Sequence, residues 1–272
     1  MLTERTPRVA AARKLLRRAG RDKAGRFLVE GAQAVREAVS GGARVHEVFA
    51  TGTALSRNAD VVSFAEGRGI PVTLVTDAAA EGLSETVTPQ GLVAVCDLVD
   101  VPLDTALQDA RLVAVLVNVS EPGNAGTVLR AADAAGAAAV VFGGDSVDPH
   151  NGKAVRASTG SLFHLPVARE RDLTVVRKAL AGLTLLAADG HGELDLHAPE
   201  AAEVLAGPTA WIFGGEAHGL PATVLEAADH RVRVPLYGRA ESLNLATAAA
   251  ICLYASAAAL RPIQGSRITD RA

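Results

Sequence analysis

Three short clusters carry the residue types that could do chemistry. The first is NVSEPGNAGTVLR, with Asn118, Asn124 and Arg130. The second is GGEAHG, where Gly214, Gly215 and Gly219 surround Glu216. The third is YGRAESLN, which places Glu241, Ser242 and Asn244 directly ahead of the apolar run LATAAAICLYA. Amides and hydroxyls can position a reacting group. A guanidinium can stabilise developing negative charge, although it is a poor base at its ordinary pKa. Ser242 or Asn244 can cap the apolar helix, but one cap accounts for only one of them. A polar group buried without a partner costs about 1–3 kcal/mol. The pair therefore implies partners, either neighbouring backbone or a ligand. The seven histidines form no HExxH and no CxxC occurs, so no metal site is expected. GGEAHG also departs from the GxGxxG spacing of a dinucleotide loop, which argues against a nicotinamide-dependent enzyme.

Each cluster follows an apolar run that must position it. LVAVLVN, AAAVVF, LTLLAA, TAWIF and VRVPL lack polar alternation, as strands do when both faces are covered. Helical segments lie between them, which predicts a parallel α/β sheet. Ligands bind beyond the carboxyl ends of such strands, and that is where the clusters fall. Asn124 is expected to cap the helix that carries Arg130. A long side chain at 130 can lean back toward the strand ends, because helical side chains tilt toward the N-terminus; the alternative is an Arg that snorkels to solvent or pairs with Asp133 or Glu121. A fourth cluster, KAVRASTGSLFHLPV, brings Lys153 and Arg156. It reads either as a phosphate-contacting surface or as an ordinary helix ahead of a strand.

Residues 27–98 alternate short strands and helices (FLVEG, AQAVREAVSGG, VHEVFA, PVTLV, GLVAVCDL) and predict a separate small α/β domain. Residues 99–110 read as a linker, 111–262 as the second domain and 263–272 as a tail. Residues 1–26 hold nine Lys or Arg against Glu4 and Asp22, in a chain whose net charge is −3. They read as a basic helical arm suited to a polyanion such as RNA, through Arg13, Lys14, Arg17 and Arg18, or as a solvated amphipathic helix. Aromatics make up only 3% of the chain, so no stacking platform for single strands is expected. The sequence shows neither a long uninterrupted apolar run nor a secretory h-region. Cys96 and Cys252 sit in apolar settings, as in a reduced, cytoplasmic protein.

In order and spacing, residues 118–130 (NxxxxxNxGxxxR), 213–220 (FGGEAHGL) and 234–248 (VPLYGRAESLNLATA) resemble the three motifs of the SpoU/TrmH branch of the SPOUT RNA methyltransferases. The resemblance runs from residue 111 to the region of residue 260. Residues 27–98 are similar to the substrate-binding domain often fused ahead of that catalytic domain, a small fold of the kind found in ribosomal proteins that bind kinked RNA. The resemblance implies a deep trefoil knot, an exception to the rule against threading, built from the GGEAHG and YGRAESLN loops. It implies S-adenosyl-L-methionine held by main-chain groups and apolar side chains. Those would be Leu186 and Ala187 on one strand, Gly214, Gly215, Glu216 and Gly219 in the glycine loop, and Val234, Leu236, Ser242, Leu243 and Leu245 in the last segment. It also implies a homodimer and methyl transfer to a ribose 2′-hydroxyl. Ribosomal RNA is the expected substrate, including sites whose methylation confers antibiotic resistance; tRNA, or a non-catalytic RNA-binding or ribosome-assembly role, is the alternative. By the resemblance, Arg130 engages ribose and phosphate, Asn244 positions the reacting groups, and Glu216, Asn124 and Ser242 organise the site. The family often reads SLNVS where this chain reads SLNLA, so Ala246 supplies no second hydroxyl.

Overall fold

The computed structural model describes residues 1–216 and 218–260; the expected tail at 263–272 lies outside them. The smaller sheet contains β1 (Arg26–Glu30), β2 (Val45–Ala50), β3 (Val72–Leu74) and β4 (Leu92–Asp97), in the order β1-β4-β2-β3. Period-two alternation decides what each face meets. Phe27, Val29, Leu92, Ala94 and Cys96 join the main core, whereas Leu28, Val93 and Val95 pack against Val9, Ala12 and Leu15. Residues 1–26 are therefore not a detached arm. The helix Pro7–Arg13 and the turn Lys14–Leu16 carry this buried apolar stripe, the helix Arg18–Ala24 follows, and the Leu2 amide donates to the Leu74 carbonyl at 2.8 Å. Arg13, Lys14, Arg17 and Arg18 ride on the outside of this packed layer, whereas Arg21 is buried within it.

The larger sheet contains β5 (Leu112–Val117), β6 (Ala139–Gly143), β7 (Val167–Glu170), β8 (Thr184–Ala188), β9 (Leu194–Asp195), β10 (Thr209–Gly214) and β11 (His230–Arg233). All neighbours are parallel, in the order β7-β6-β5-β10-β8-β11-β9. Every residue of β5 and β6 is buried, which accounts for their unbroken apolar runs. Strand β9 is too short to show any period in the sequence. The run 232–236 is strand only to Arg233, since Pro235 has no N–H to give a ladder. Two late strands occupy interior places: β10 lies between β5 and β8, and β11 between β8 and β9. The helix Leu245–Leu260 then returns across the sheet. Its buried Ser256 hydroxyl accepts a 2.8 Å bond from the Trp211 indole on β10, so the polar atom in an otherwise apolar helix is satisfied.

Residues 99–110 pack rather than dangle. The Val101 amide donates to the Val167 carbonyl, and Ala106 is buried against Ala139 and Ala168. A second tie is His164, whose Nδ1 lies 2.7 Å from Asp133 and Nε2 3.2 Å from Glu37, one carboxylate from each domain. Burial alone would lower this ring's pKa, but the hydrogen bonds and charges of Asp133 and Glu37 outweigh it and hold the pKa above its ordinary value. A raised folded pKa gives stabilisation that is complete below the unfolded value of about 6.5 and lost as pH rises through the folded one. Between about pH 6 and about pH 8 the melting temperature is therefore expected to fall more steeply in the wild type than in His164→Gln, as read by scanning fluorimetry.

Candidate active site

Beyond the carboxyl ends of β8, β10 and β11 lies a cleft of about 730 Å³. Its lining includes Gly214, Gly215, Glu216 and Gly219 after β10, Val234 and Leu236 after β11, and Ser242, Leu243, Asn244 and Leu245 at the mouth of the last helix. Ala188, Asp189 and Gly190 close the β8 side. Leu186 and Ala187 are fully buried within β8, short of the cleft; an apolar strand residue in the middle of a covered sheet faces core and not crevice. The signal that could have moved the choice to 188–190 is the turn pair Asp189-Gly190.

Backbone crowding accounts for the glycine spacing. A Cβ on Gly214 would stand 2.3 Å from the carbonyl carbon of Gly219, and Gly219 donates its amide to the Gly215 carbonyl at 2.9 Å. The loop folds onto its own start, and only a residue without a side chain permits it. In the first cluster, a Cβ on Gly126 would lie 2.3 Å from the Ala154 carbonyl oxygen. That glycine lets the helices Pro122–Ala134 and Gly152–Ser158 pack backbone to backbone.

The polar residues of all three clusters meet. Asn244 Oδ1 accepts from the Ala246 and Thr247 amides at 2.9 and 3.3 Å, capping the last helix. Its Nδ2 donates to Asn124 Oδ1 at 3.0 Å, and Asn124 Nδ2 donates to Glu216 Oε1 at 2.7 Å. Both ends fix the direction of this chain of bonds. Helix amides require an oxygen from Asn244, and a carboxylate requires an N–H from Asn124, so neither amide can flip without breaking two bonds. Asn244 is thus both the cap and part of the cleft wall. Ser242 is exposed on the cleft wall with no hydrogen bond among the described residues.

Asn124 does not cap its helix. Glu121 is the N-cap: its side chain accepts the Asn124 amide at 2.8 Å, because Pro122 in the first helical position has no N–H to offer. The Glu121 carboxyl is held below its usual range chiefly by its hydrogen bond from Lys153. Glu121 was not among the expected site residues, although the Glu-Pro pair is a readable helix start. Asn118 turns the chain at φ 55° and accepts the Asp145 amide through Oδ1 at 2.9 Å. Its role in the structure is to hold that turn.

Arg130 is exposed and makes no ion pair or hydrogen bond among the described residues. The two carboxylates that could have taken it are engaged elsewhere, Asp133 by His164 and Glu121 by Lys153. Lys153 and Arg156, expected to face phosphate, have internal partners instead: Lys153 pairs with Glu121, and Arg156 reaches the buried Glu30 at 3.1 Å. A carboxylate buried at the end of β1 needs a counter-charge, and Arg156 supplies it. Arg13, Lys14, Arg17 and Arg18 are exposed, and among the described residues only Arg18 of these has a carboxylate nearby, Asp22 at 3.7 Å. Among the described residues no cluster of three or more His, Cys, Asp or Glu could hold a metal ion, and no helix is long and apolar enough to cross a membrane.

Comparison with known proteins gives this geometry a family. Residues 111–254 match the SpoU rRNA Methylase family, and residues 6–94 match an MRM3-like substrate binding domain. The second match reaches back into the N-terminal layer that packs on the small sheet. The 23S rRNA (guanosine(2553)-2′-O)-methyltransferase RlmP of Bacillus subtilis is 37% identical over 243 residues, 89% of this chain and 92% of its own. The 23S rRNA (uridine(2479)-2′-O)-methyltransferase of Streptomyces viridochromogenes is 32% identical, over 93% of this chain and 90% of its own. The crystal structure of the SpoU methyltransferase AviRb from Streptomyces viridochromogenes in complex with AdoMet superposes with a TM-score of 0.78 at 30% identity, covering 93% of this chain and 98% of that one. With one family match spanning more than half of the residues and relatives of this identity along nearly the whole length, the chain belongs to the SpoU rRNA methylase family.

Proposed function

We propose that this protein transfers a methyl group from S-adenosyl-L-methionine to a ribose 2′-hydroxyl of large-subunit ribosomal RNA, in the cytoplasm. The observation that carries this reading is the bonded chain Asn244–Asn124–Glu216 standing at the wall of a glycine-bounded cleft. The cleft fits the cofactor in size, since small-molecule sites span about 300–1,000 Å³. Its chemistry also fits: backbone brought close by Gly214 and Gly215, with apolar walls from Val234, Leu236, Leu243 and Leu245. The cofactor, when bound, supplies an electrophilic sulfonium methyl.

The protein's own part is placement and charge. Asn244 and Asn124 hold fixed hydrogen-bonding directions beside the place where the sugar oxygen must arrive, and near-attack placement is a large share of such a rate. Arg130, unpaired among the described residues and always charged, is free to engage the ribose and its phosphate and to stabilise the oxygen as its proton leaves. We further propose the knotted path for the loops after β10 and β11, supported by the insertion of both strands between earlier ones. A homodimer is supported by the outer face of the last helix, where Tyr254 is 53% exposed beside Ala258 and the half-exposed Ile251.

Mapping of 2′-O-methylation on rRNA from cells with and without the protein tests the function. One protein-dependent site is expected. If the purified protein binds S-adenosyl-L-methionine but leaves the rRNA map unchanged, the reading fails. The outer basic face has its own test. Deleting residues 1–26 would remove Val9, Ala12 and Leu15 from the core, so charge removal is the cleaner change. The triple replacement of Arg13, Lys14 and Arg17 by Gln is expected to flatten the log–log salt dependence of RNA binding by about 2. An unchanged slope in a filter-binding titration would show these cations to be merely solvated.

A further inference from the structure

The segment between Leu236 and Glu241 leaves the cleft and comes back to it: both of those residues line the cavity, and the chain between them is exposed throughout. Tyr237 stands on this lip at 85% exposure in a protein with only two tyrosines. It is not loose. Its hydroxyl is 3.1 Å from His197 Nδ1, and the two rings lie end to end through that contact, 6.5 Å between centroids and within 18° of parallel. His197 is anchored in turn, its amide donating to Asp195 Oδ1 at 2.9 Å at the end of β9. Two residues beyond Tyr237, Arg239 is exposed and has no ion pair or hydrogen bond among the described residues.

An open aromatic face, oriented by a second ring and accompanied by an unpaired cation, matches the chemistry of an unstacked nucleobase and its phosphate. A protein surface has little reason to hold a tyrosine ring in place while leaving it in water. We infer that the Tyr237–His197 pair is a stacking platform for an unpaired base of the RNA next to the methylated ribose, with Arg239 taking the adjoining phosphate. The scarcity of aromatics in the sequence argued against such a platform. The fold supplies one by bringing together two rings that lie 40 residues apart.

The identity of the ligand rests on the RNA methyltransferase reading, so binding and transfer are measured separately. The probes are an unmethylated large-subunit rRNA transcript and tritiated S-adenosyl-L-methionine, with the full chain. Tyr237→Ala is expected to weaken RNA binding about tenfold, the scale of one lost base–aromatic stack. Tyr237→Phe, which keeps the ring face, is expected to stay near the wild type. Cofactor affinity by calorimetry and elution volume by gel filtration are expected to be unchanged in both.

The platform is overturned if Tyr237→Ala binds RNA as the wild type does. It is also overturned if cofactor affinity falls in step, which would assign the ring to the cofactor, or if the elution volume shifts, which would assign it to a subunit contact. Equal losses in the Phe and Ala variants would overturn it too, since the hydroxyl and not the ring would then carry the effect. A wild type that transfers no methyl group while Tyr237→Ala still loses RNA affinity would refute the enzymatic reading and leave the platform standing.

Discussion

Arg130→Ala is expected to slow methyl transfer by roughly a hundredfold or more, the loss typical of removing one preorganised charge stabiliser, while S-adenosyl-L-methionine binds as before. The argument has two parts. Arg130 is outside the set of residues lining the cleft, so truncating it removes no cofactor contact. It also has no partner among the described residues, so its loss strands no carboxylate and the fold should not register the change. Arg130→Lys is expected to recover little, because an ammonium cannot reproduce a planar fork that spans two oxygens. Single-turnover transfer to rRNA with calorimetry on the same samples separates the outcomes. A normal rate in Arg130→Ala would remove it from the mechanism. A matched loss of cofactor affinity would return it to the cofactor site.

The parts of the fold legible in the sequence are those whose cause is local. Strands β5, β6, β8 and β10 announce themselves because a strand covered on both faces reads as a near-continuous apolar run, and the clusters that follow them fall where a parallel sheet leaves its crevice. The illegible parts depend on distant partners. Asn124 reads as a cap until Glu121 is seen to hold its amide and Glu216 and Asn244 are seen to take its side chain. Lys153 and Arg156 read as anion-binding until Glu121 and Glu30 appear beside them. The charge of residues 1–26 hides the apolar stripe of Val9, Ala12 and Leu15, which turns a supposed arm into a layer of the small domain. In each case a side chain has one local and one long-range use, and sequence spacing reveals only the first.

The same limit hides a buried ion pair across the joint between the domains. Arg21→Met is expected to cost about 3–5 kcal/mol of stability, the usual result of stranding one half of a buried ion pair. Arg21 sits in the N-terminal layer and Asp148 in the larger domain; their side chains are 3% and 4% exposed, with Nε 2.8 Å from Oδ2. Arg21 Nη1 donates to the Leu15 and Leu16 carbonyls at 3.0 and 2.9 Å. Asp148 also accepts from the amide and ring of His150, and that ring accepts the Val99 amide at the start of the linker. Removing the guanidinium therefore strips a walled-in carboxylate of its nearest guanidinium and leaves Arg169 Nη1, at 3.8 Å, as the other.

Burial alone would raise the Asp148 pKa, but the His150 hydrogen bond and the charges around it, Arg21 among them, override that and hold it well below the usual carboxylate range. A depressed folded pKa means the stabilisation is complete above the unfolded value of about 4 and is lost as pH falls through the folded one. Without Arg21 the folded pKa moves up, so Arg21→Met should also unfold at a higher pH on the acid side. Denaturant titrations at neutral pH and acid titrations followed by circular dichroism give the two readings. If both match the wild type, the pair does not hold the domains together. If stability falls while the acid midpoint stays put, Arg21 acts through packing and its carbonyl bonds, and its charge does not set the state of Asp148.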